Sequence, residues 1–390
     1  MKILHVIPSI ALVRGGPSQA VLAMVKALMY QGINAEIVTT NDNGNNLLDV
    51  SLGIKTEYKC VPVRFFARYS PKIHSVREFA FSGQLTHWLW HNVTNYDLIH
   101  VHAIFSYPST AAMFIARLKD IPYICRPLGQ LCHWSLQQGY QKKRAYLGLI
   151  EKANLNASKA LHFTTKQEQK EADNLNLKST SFILPHGISI PVPIPEARIK
   201  LRNKLQVADN ETIILFLARL HPKKGLDYLI SALGKLTHKS FIFVLAGNGD
   251  PGYEIEVENL LHQHNISACT HRVGFVQGEY KNLLLQGADI FALTSHSENF
   301  GVAVIEALAA GIPALITPGV ALASILEQEQ IGYVTNLNSD AIASSFEYCL
   351  NNLPELKEKG DRAKKFILEN YTWNSIALKL VDTYQGVINS

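Results

Sequence analysis

Two glutamates eight residues apart, Glu298 and Glu306, frame the stretch Ser295–Pro313, SHSENFGVAVIEALAAGIP. The apolar run Ile290–Leu293 before it ends in Thr294 and Ser295, the pattern of a buried parallel strand. Glu298-Asn299-Phe300-Gly301 reads as a turn, and Val302–Ala310 as a helix that stops at Gly311-Ile312-Pro313. In this order the amides near Phe300 and Gly301 point above the strand's C-terminal edge, at the positive end of the helix dipole, where a phosphate is stabilised. Two turns of helix cover roughly 11–12 Å. That is about the length of a sugar-diphosphate-ribose unit, so one carboxylate suits a sugar's hydroxyls and the other a ribose's. A surface helix with two solvated glutamates would explain the charges. It would leave unexplained why Ser295-His296-Ser297 and Gly301 lead into an otherwise apolar helix.

A second constellation supplies positive charge. The strand Thr212–Ala218 runs into RLHPKKG, with Arg219 and Lys224 five apart around Pro222 and Gly225, before a helix over Leu226–Leu236. A bond to a diphosphate breaks more easily when the leaving group's growing charge is neutralised. Two fixed cations can do this, and arginine binds phosphate oxygens as a fork. The common alternative, a divalent cation held by Asp-x-Asp, is excluded because no two aspartates stand two apart. The bland reading of the turn is a solvated basic loop.

Asn-Phe-Gly after Glu298 and Ala-Leu-Ala after Glu306 complete a motif that resembles the E-x7-E signature of retaining glycosyltransferases of family 4. The resemblance implies an α/β fold of the GT-B type, two doubly wound Rossmann-like domains facing across a cleft. It implies transfer of a hexose from a nucleotide-diphosphate sugar, by family frequency a UDP-sugar such as UDP-glucose, to a hydroxyl of a lipid-linked or polysaccharide acceptor. Arg219 and Lys224 match the family's Arg…Lys-Gly motif and take the diphosphate charge. Glu306 holds the ribose. Glu298, with the backbone of Asn299, Phe300, Gly301 and Val302, grips the sugar. Gly247 begins the Ala-Gly-x-Gly loop under the nucleotide, and Val273 and Phe275 lie where the backbone meets the base. Gly15 and Gly16 match the N-terminal glycine loop, His102 the strand-end histidine near the donor sugar, and Arg126 the Arg/His-Gly turn that meets a phosphate or an acceptor. At His186 the family usually has Asn, a departure from the pattern. No metal or other cofactor is implied.

The elements that must position these residues follow along the chain. Lys2–Ile7, the helix Gln19–Tyr30 after Gly15-Gly16-Pro17, and Ala35–Thr39 form a βαβ opening, so the first domain is expected to be a doubly wound parallel sheet over residues 1–186. Asp97–Val101 and Pro122–Pro127 add strands. The proline-rich stretch 187–196, with Pro191, Pro193 and Pro195, is the expected linker. The second domain is expected over 197–370, and the amphipathic segment 371–390 is expected to cross back onto the first. Gly247–Gly252 is literally G-x-G-x-x-G after a strand, but Pro251 falls inside it and no acidic residue ends a strand about twenty residues on, which argues against a nicotinamide enzyme. His100 and His102 share one face of a strand, yet no acidic or cysteine ligand is close in sequence, so a metal is not expected.

Composition sets the outer limits. The 390 residues, 47% hydrophobic and 18% charged, suit two or three globular domains. No apolar stretch reaches the eighteen or so residues that cross a bilayer. Five scattered cysteines without a C-x-x-C pair point to reduced thiols and a cytoplasmic protein. Residues 1–186 hold 20 Lys+Arg against 11 Asp+Glu, a net +9, and residues 187–390 hold 17 against 21, a net −4. The basic half interleaves bases with aromatics in Val61–Arg77 and again in Gln141–Ile150. Such a face suits peripheral contact with an anionic membrane at its inner side. Nucleic acid is not expected, since no recognition motif for it is present. The rival readings are a sugar-nucleotide epimerase on the same architecture and a non-catalytic anion-binding protein at a membrane surface.

Overall fold

A computed structural model describes residues 1–390 apart from Pro191, Thr237 and Ser390. The chain divides into two compact units, Met1–Gly187 with Trp373–Ser390, and Ile188–Thr372. Of the proposed linker, Pro191 lies outside the described residues, and the stretch from Ile188 onward belongs to the second unit.

The first unit is built on an eight-stranded sheet. Across it the strands run Thr180–Ile183, Ala160–Phe163, Tyr123–Arg126, Leu98–His102, Lys2–Val6, Asn34–Thr40, Val61–Phe66 and Lys55–Tyr58. All pairs are parallel except the last, which is an antiparallel edge. The order reverses between Lys2–Val6 and Leu98–His102, and loops leaving the C-terminal ends of such a pair of strands form a ligand crevice. Apolar residues cover both faces, which is why the strands read as continuous hydrophobic runs. The helix Gly16–Tyr30 starts with Pro17 in its first turn and buries Val21, Met24, Val25 and Leu28. The C-terminal helix Trp373–Asn389 packs on the same core through Ile376, Leu380 and Tyr384.

The stretch Val61–Arg77 is partly buried and partly exposed. Its first half is the strand Val61–Phe66, with Val61, Val63, Phe65 and Phe66 buried. Arg68 is 3% exposed and ion-paired with the buried Asp42. Alternation of apolar and basic residues with period two is a strand signal, and here the apolar set faces inward.

The second unit has a six-stranded, all-parallel sheet in the order Thr270–Gly274, Phe241–Ala246, Thr212–Leu217, Ile290–Leu293, Ala314–Ile316, Gly332–Val334. This is the doubly wound order 3-2-1-4-5-6, with its reversal between Thr212–Leu217 and Ile290–Leu293. The loops after those two strands carry Arg219, Lys224, Glu298 and Gly301.

Candidate functional site

In the second unit the loops after four strands are tied into one edge. Gly225, at φ +63°, lies so close to Thr294 that a methyl group there would collide with the Thr294 carbonyl oxygen. Gly247, at φ +140°, stands in the same relation to the Ala218 carbonyl. Side chains were removed at both positions so that backbone could pass backbone. The His296 amide donates to the Lys223 carbonyl at 2.9 Å, the Leu220 amide to Asn248 at 2.9 Å, and the Gly247 amide to Gly274 at 2.8 Å. The Arg219–Lys224 turn is therefore fastened on one side to the strand that leads to Glu298 and on the other to the Gly247 loop.

Glu298 is held by its own backbone. Its amide donates to Gly319 at 2.7 Å, and its carbonyl accepts from the Ala321 amide at 3.0 Å. Its carboxylate is ion-paired with the Lys224 ammonium, the two side chains being 23% and 17% exposed. Gly301, in the left-handed region at φ +80°, turns the chain into the nine-residue helix Val302–Ala310. The Val304 amide donates to the Gly301 carbonyl at 2.9 Å, and the amides of Val302 and Ala303 before it have no acceptor within the helix. Glu306, two turns in, is ion-paired through Oε1 with Lys281 Nζ at 2.7 Å. Arg219 is exposed and makes no ion pair among the described residues. Val273 lies half-buried in the edge strand Thr270–Gly274, and Phe275 just beyond it is 68% exposed. Gly247–Gly252 is no dinucleotide fingerprint: Asp250 and Pro251 start the helix Pro251–Gln263, with Asp250 as its N-cap residue.

The corresponding edge of the first unit is lined by imidazoles. His102 ends its strand, is fully buried, and its Nε2 lies 3.0 Å from His5 Nδ1. His100 Nδ1 meets the Tyr384 hydroxyl at 2.6 Å, and its Nε2 lies 3.3 Å from His162 Nδ1. His162 Nε2 completes this line on the Leu184 carbonyl at 2.8 Å. Arg126 is fully buried beside them, with its Nη2 3.2 Å from His186 Nδ1. Among the described residues its Nε and Nη1 have no hydrogen-bond partner, nor do His5 Nε2 and His102 Nδ1. Burial, with the Arg126 charge added, lowers His5 to about 3 and holds His100, His102, His162 and His186 well below the ordinary histidine value. These rings are neutral at pH 7. Burial also lowers Arg126 to about 10. Just past the two strand ends, Ala103 (φ 67°), Phe105 (φ 56°) and Leu128 (φ 57°) adopt left-handed conformations that side-chain-bearing residues avoid, and such strain concentrates at functional sites. Gly15, at φ +78°, precedes the helix that begins at Gly16.

Parity along the strand Leu98–His102 puts His100 and His102 on one face, but the third member, His5, comes from the neighbouring strand through the pairing His5↔His100. Nitrogens of His5, His100 and His102 lie within 4.8 Å of one another, a spacing that can hold a metal ion. The buried guanidinium of Arg126 opposes a second positive charge there, so the set does not suit a divalent cation. His5, His162, Tyr384 and Lys281 join the candidate residues only through the fold.

Two family models match the chain, "Glycosyl transferase 4-like domain" over residues 15–183 and "Glycosyl transferases group 1" over residues 197–366. The chain is 33% identical over 192 residues to an uncharacterized glycosyltransferase of Methanocaldococcus jannaschii, a match that spans 49% of each protein. It is 25% identical over 389 residues to a D-inositol 3-phosphate glycosyltransferase of Xylanimonas cellulosilytica, covering 95% of this chain and 91% of that one. In fold it is similar to HepE of Anabaena, solved in complex with UDP and glucose, at TM-score 0.77 and 18% identity over 99% of this chain and 100% of that one.

Proposed function

The chain belongs to the glycosyltransferases of family 4, with the GT-B architecture of two Rossmann-like domains, and from that membership we propose a retaining hexosyl transfer. The donor is a UDP-sugar, with UDP-glucose the first choice, and the acceptor is a hydroxyl of a lipid-linked or polysaccharide intermediate met at the inner face of a membrane. The observation that carries this reading is the second unit's switch-point edge. There Lys224, in the turn that begins at Arg219, is ion-paired with Glu298, and Gly301 opens the helix Val302–Ala310 three residues after Glu298. HepE's complex with UDP and glucose supports the choice of donor.

In the reaction proposed, the glycosyl–phosphate bond breaks with its electron pair passing to the diphosphate, the acceptor's hydroxyl oxygen bonds the anomeric carbon, and its proton passes to the departing phosphate oxygen. Arg219 and Lys224 take up that charge, with the helix-start amides of Gly301 and Val302 beside them. Glu298, already pinned at both backbone ends, accepts hydroxyls of the sugar while Lys224 turns to the phosphate. Glu306 binds the ribose. No metal is needed, because two lysine-or-arginine cations do its electrostatic work. The roles of Gly15, Gly16, Gly247, Val273, Phe275, Asn299, Phe300, His102 and Arg126 stay those that the family resemblance implies.

Nucleotide release and product anomer, followed by proton NMR with a panel of sugar nucleotides in EDTA, test the reading. Release of UDP with an axial linkage formed from an axial donor is expected. No nucleotide release from any donor would favour the non-catalytic binder. Interconversion of the sugar without transfer would favour an epimerase.

A further inference from the structure

The turn before the first unit's glycine pair is not held by apolar packing. Leu12–Arg14 is a single 3₁₀ turn with no buried residue, and Leu12 and Val13 are 57% and 65% exposed. Gly15 follows at φ 78° and ψ −153°, a combination essentially confined to glycine. Glycine reaches many conformations at little steric cost, so this one has to be selected by its surroundings. Gly16 then opens the helix Gly16–Tyr30, and its amide has no acceptor within that helix.

Arg14 supplies the hold. Its Nε and Nη2 donate to the two carboxylate oxygens of Asp42 at 2.6 and 2.8 Å. Its Nη1 and Nη2 donate to those of Glu78 at 2.6 and 3.1 Å. Both contacts are forks, the geometry in which a guanidinium fixes direction as well as distance. The two carboxylates come from separate segments, Asp42 just past the strand Asn34–Thr40 and Glu78 at the end of the short helix His74–Glu78. Asp42 is 2% exposed and is also ion-paired with the buried Arg68. The Asp42 anchor therefore stands without Arg14, and Glu78 supplies the second negative charge that balances two arginines. Ser9 secures the other end of the turn. Its Oγ donates to the Asp42 carbonyl at 2.8 Å and accepts the Ala11 amide at 3.1 Å.

We propose that Arg14 is a positioning residue for the donor: clamped by Asp42 and Glu78, it keeps Gly15 and Gly16 in the conformation that meets the diphosphate. The proposal rests on the donor role that the family resemblance gives these two glycines, and adds the residue that sets their conformation. The Arg14 guanidinium is committed to the two carboxylates, so it acts through the glycines. Without it the turn samples other conformations. If about a tenth of the molecules then hold the competent one, apparent donor affinity falls about tenfold while turnover of bound donor is kept.

The test is initial rates of nucleotide release over a range of the sugar nucleotide that the donor panel shows to be turned over, UDP-glucose being the first choice. Arg14→Gln should raise the KM for the donor about tenfold with kcat within about twofold. It should still fold, since Asp42 keeps Arg68. Arg14→Lys should recover only part of the loss, because a point charge cannot fork onto both carboxylates. Glu78→Gln should raise the KM less, and should add nothing to Arg14→Gln, as expected of partners in one clamp. Amide hydrogen exchange, which needs no donor, should quicken at residues 11–16 in Arg14→Gln and stay unchanged in the rest of the first unit. Unchanged exchange there would overturn the clamp. Faster exchange with an unchanged KM, or lowered stability with both kinetic constants unchanged, would overturn the positioning role while leaving the donor reading intact. No nucleotide release by the unaltered chain from any donor would defeat the donor reading and this role with it.

Discussion

Lowering the pH from 7 to 5.5 should unfold the first unit far more readily, and the size of the effect follows from its five buried histidines. His5, His100, His102, His162 and His186 are each no more than 5% exposed, and burial and Arg126 depress all of them in the folded state. In the unfolded chain each titrates near 6.5. Below that pH the unfolded chain binds protons that the folded chain cannot, so stability is complete above about pH 6.5 and is lost as the pH falls. For one histidine that stays neutral when folded, the loss between pH 7 and 5.5 is about 1.2 kcal/mol, and for five it is about 6 kcal/mol. Domains are typically stable by only about 5–15 kcal/mol. All four tryptophans, Trp88, Trp90, Trp134 and Trp373, belong to this unit, so tryptophan fluorescence reports on it alone. With a urea slope of about 2–3 kcal/mol per molar, the fluorescence midpoint should fall by about 2–3 M. His162→Gln should recover about a fifth of the loss. A midpoint that moves by less than about 0.5 M would refute the reasoning, because the imidazoles would then be accepting protons inside the fold.

Further outcomes follow from particular contacts. Arg126→Met removes a buried guanidinium with two nitrogens unpartnered among the described residues, so the first unit should be unchanged in stability or more stable by up to about 1–3 kcal/mol, read by thermal unfolding, while the initial transfer rate falls at least about tenfold. A large loss of stability with full activity would contradict that assignment. Gly225→Ala places a methyl against the Thr294 carbonyl at a positive φ, so the second unit should lose roughly 2–5 kcal/mol, read as faster alkylation of the buried Cys349. An unchanged alkylation rate would mean that the two loops are not locked together. Lys281→Ala frees Glu306 from its 2.7 Å partner, and the KM for the donor should change by more than kcat if Glu306 serves binding alone.

The helix at the centre of the second unit was legible because its signals are local. Gly301 and Gly311 both take left-handed conformations at its ends, and the sequence places a glycine at each. The apolar strand Ile290–Leu293 was equally plain, since burial on both faces leaves an unbroken hydrophobic run. The histidine cluster was not legible. Residues 5, 100, 102, 126 and 162 meet only because parallel strands far apart in sequence lie side by side in register, and no local pattern encodes strand order. Lys281 likewise reaches Glu306 from a different helix. In Val61–Arg77 the sequence left two readings open, for a physical reason. Bases interleaved with aromatics suggest a surface, but their period of two also builds a strand, and the buried Asp42 drew Arg68 inside. The C-terminal helix begins at Trp373 rather than Tyr371 because Tyr371 caps the preceding helix Leu353–Asn370.

Calorimetric titration of UDP, UMP and uridine into the unaltered chain, Arg219→Ala and Lys224→Ala, all in EDTA, tests the diphosphate site most directly. The unaltered chain should bind UDP far more tightly than UMP or uridine. Each alanine variant should lose roughly a hundredfold or more of the UDP affinity, while its weak affinity for uridine is kept. Equal UDP affinity in the unaltered chain and both variants, or binding of UDP only after a divalent metal is added, would contradict the account.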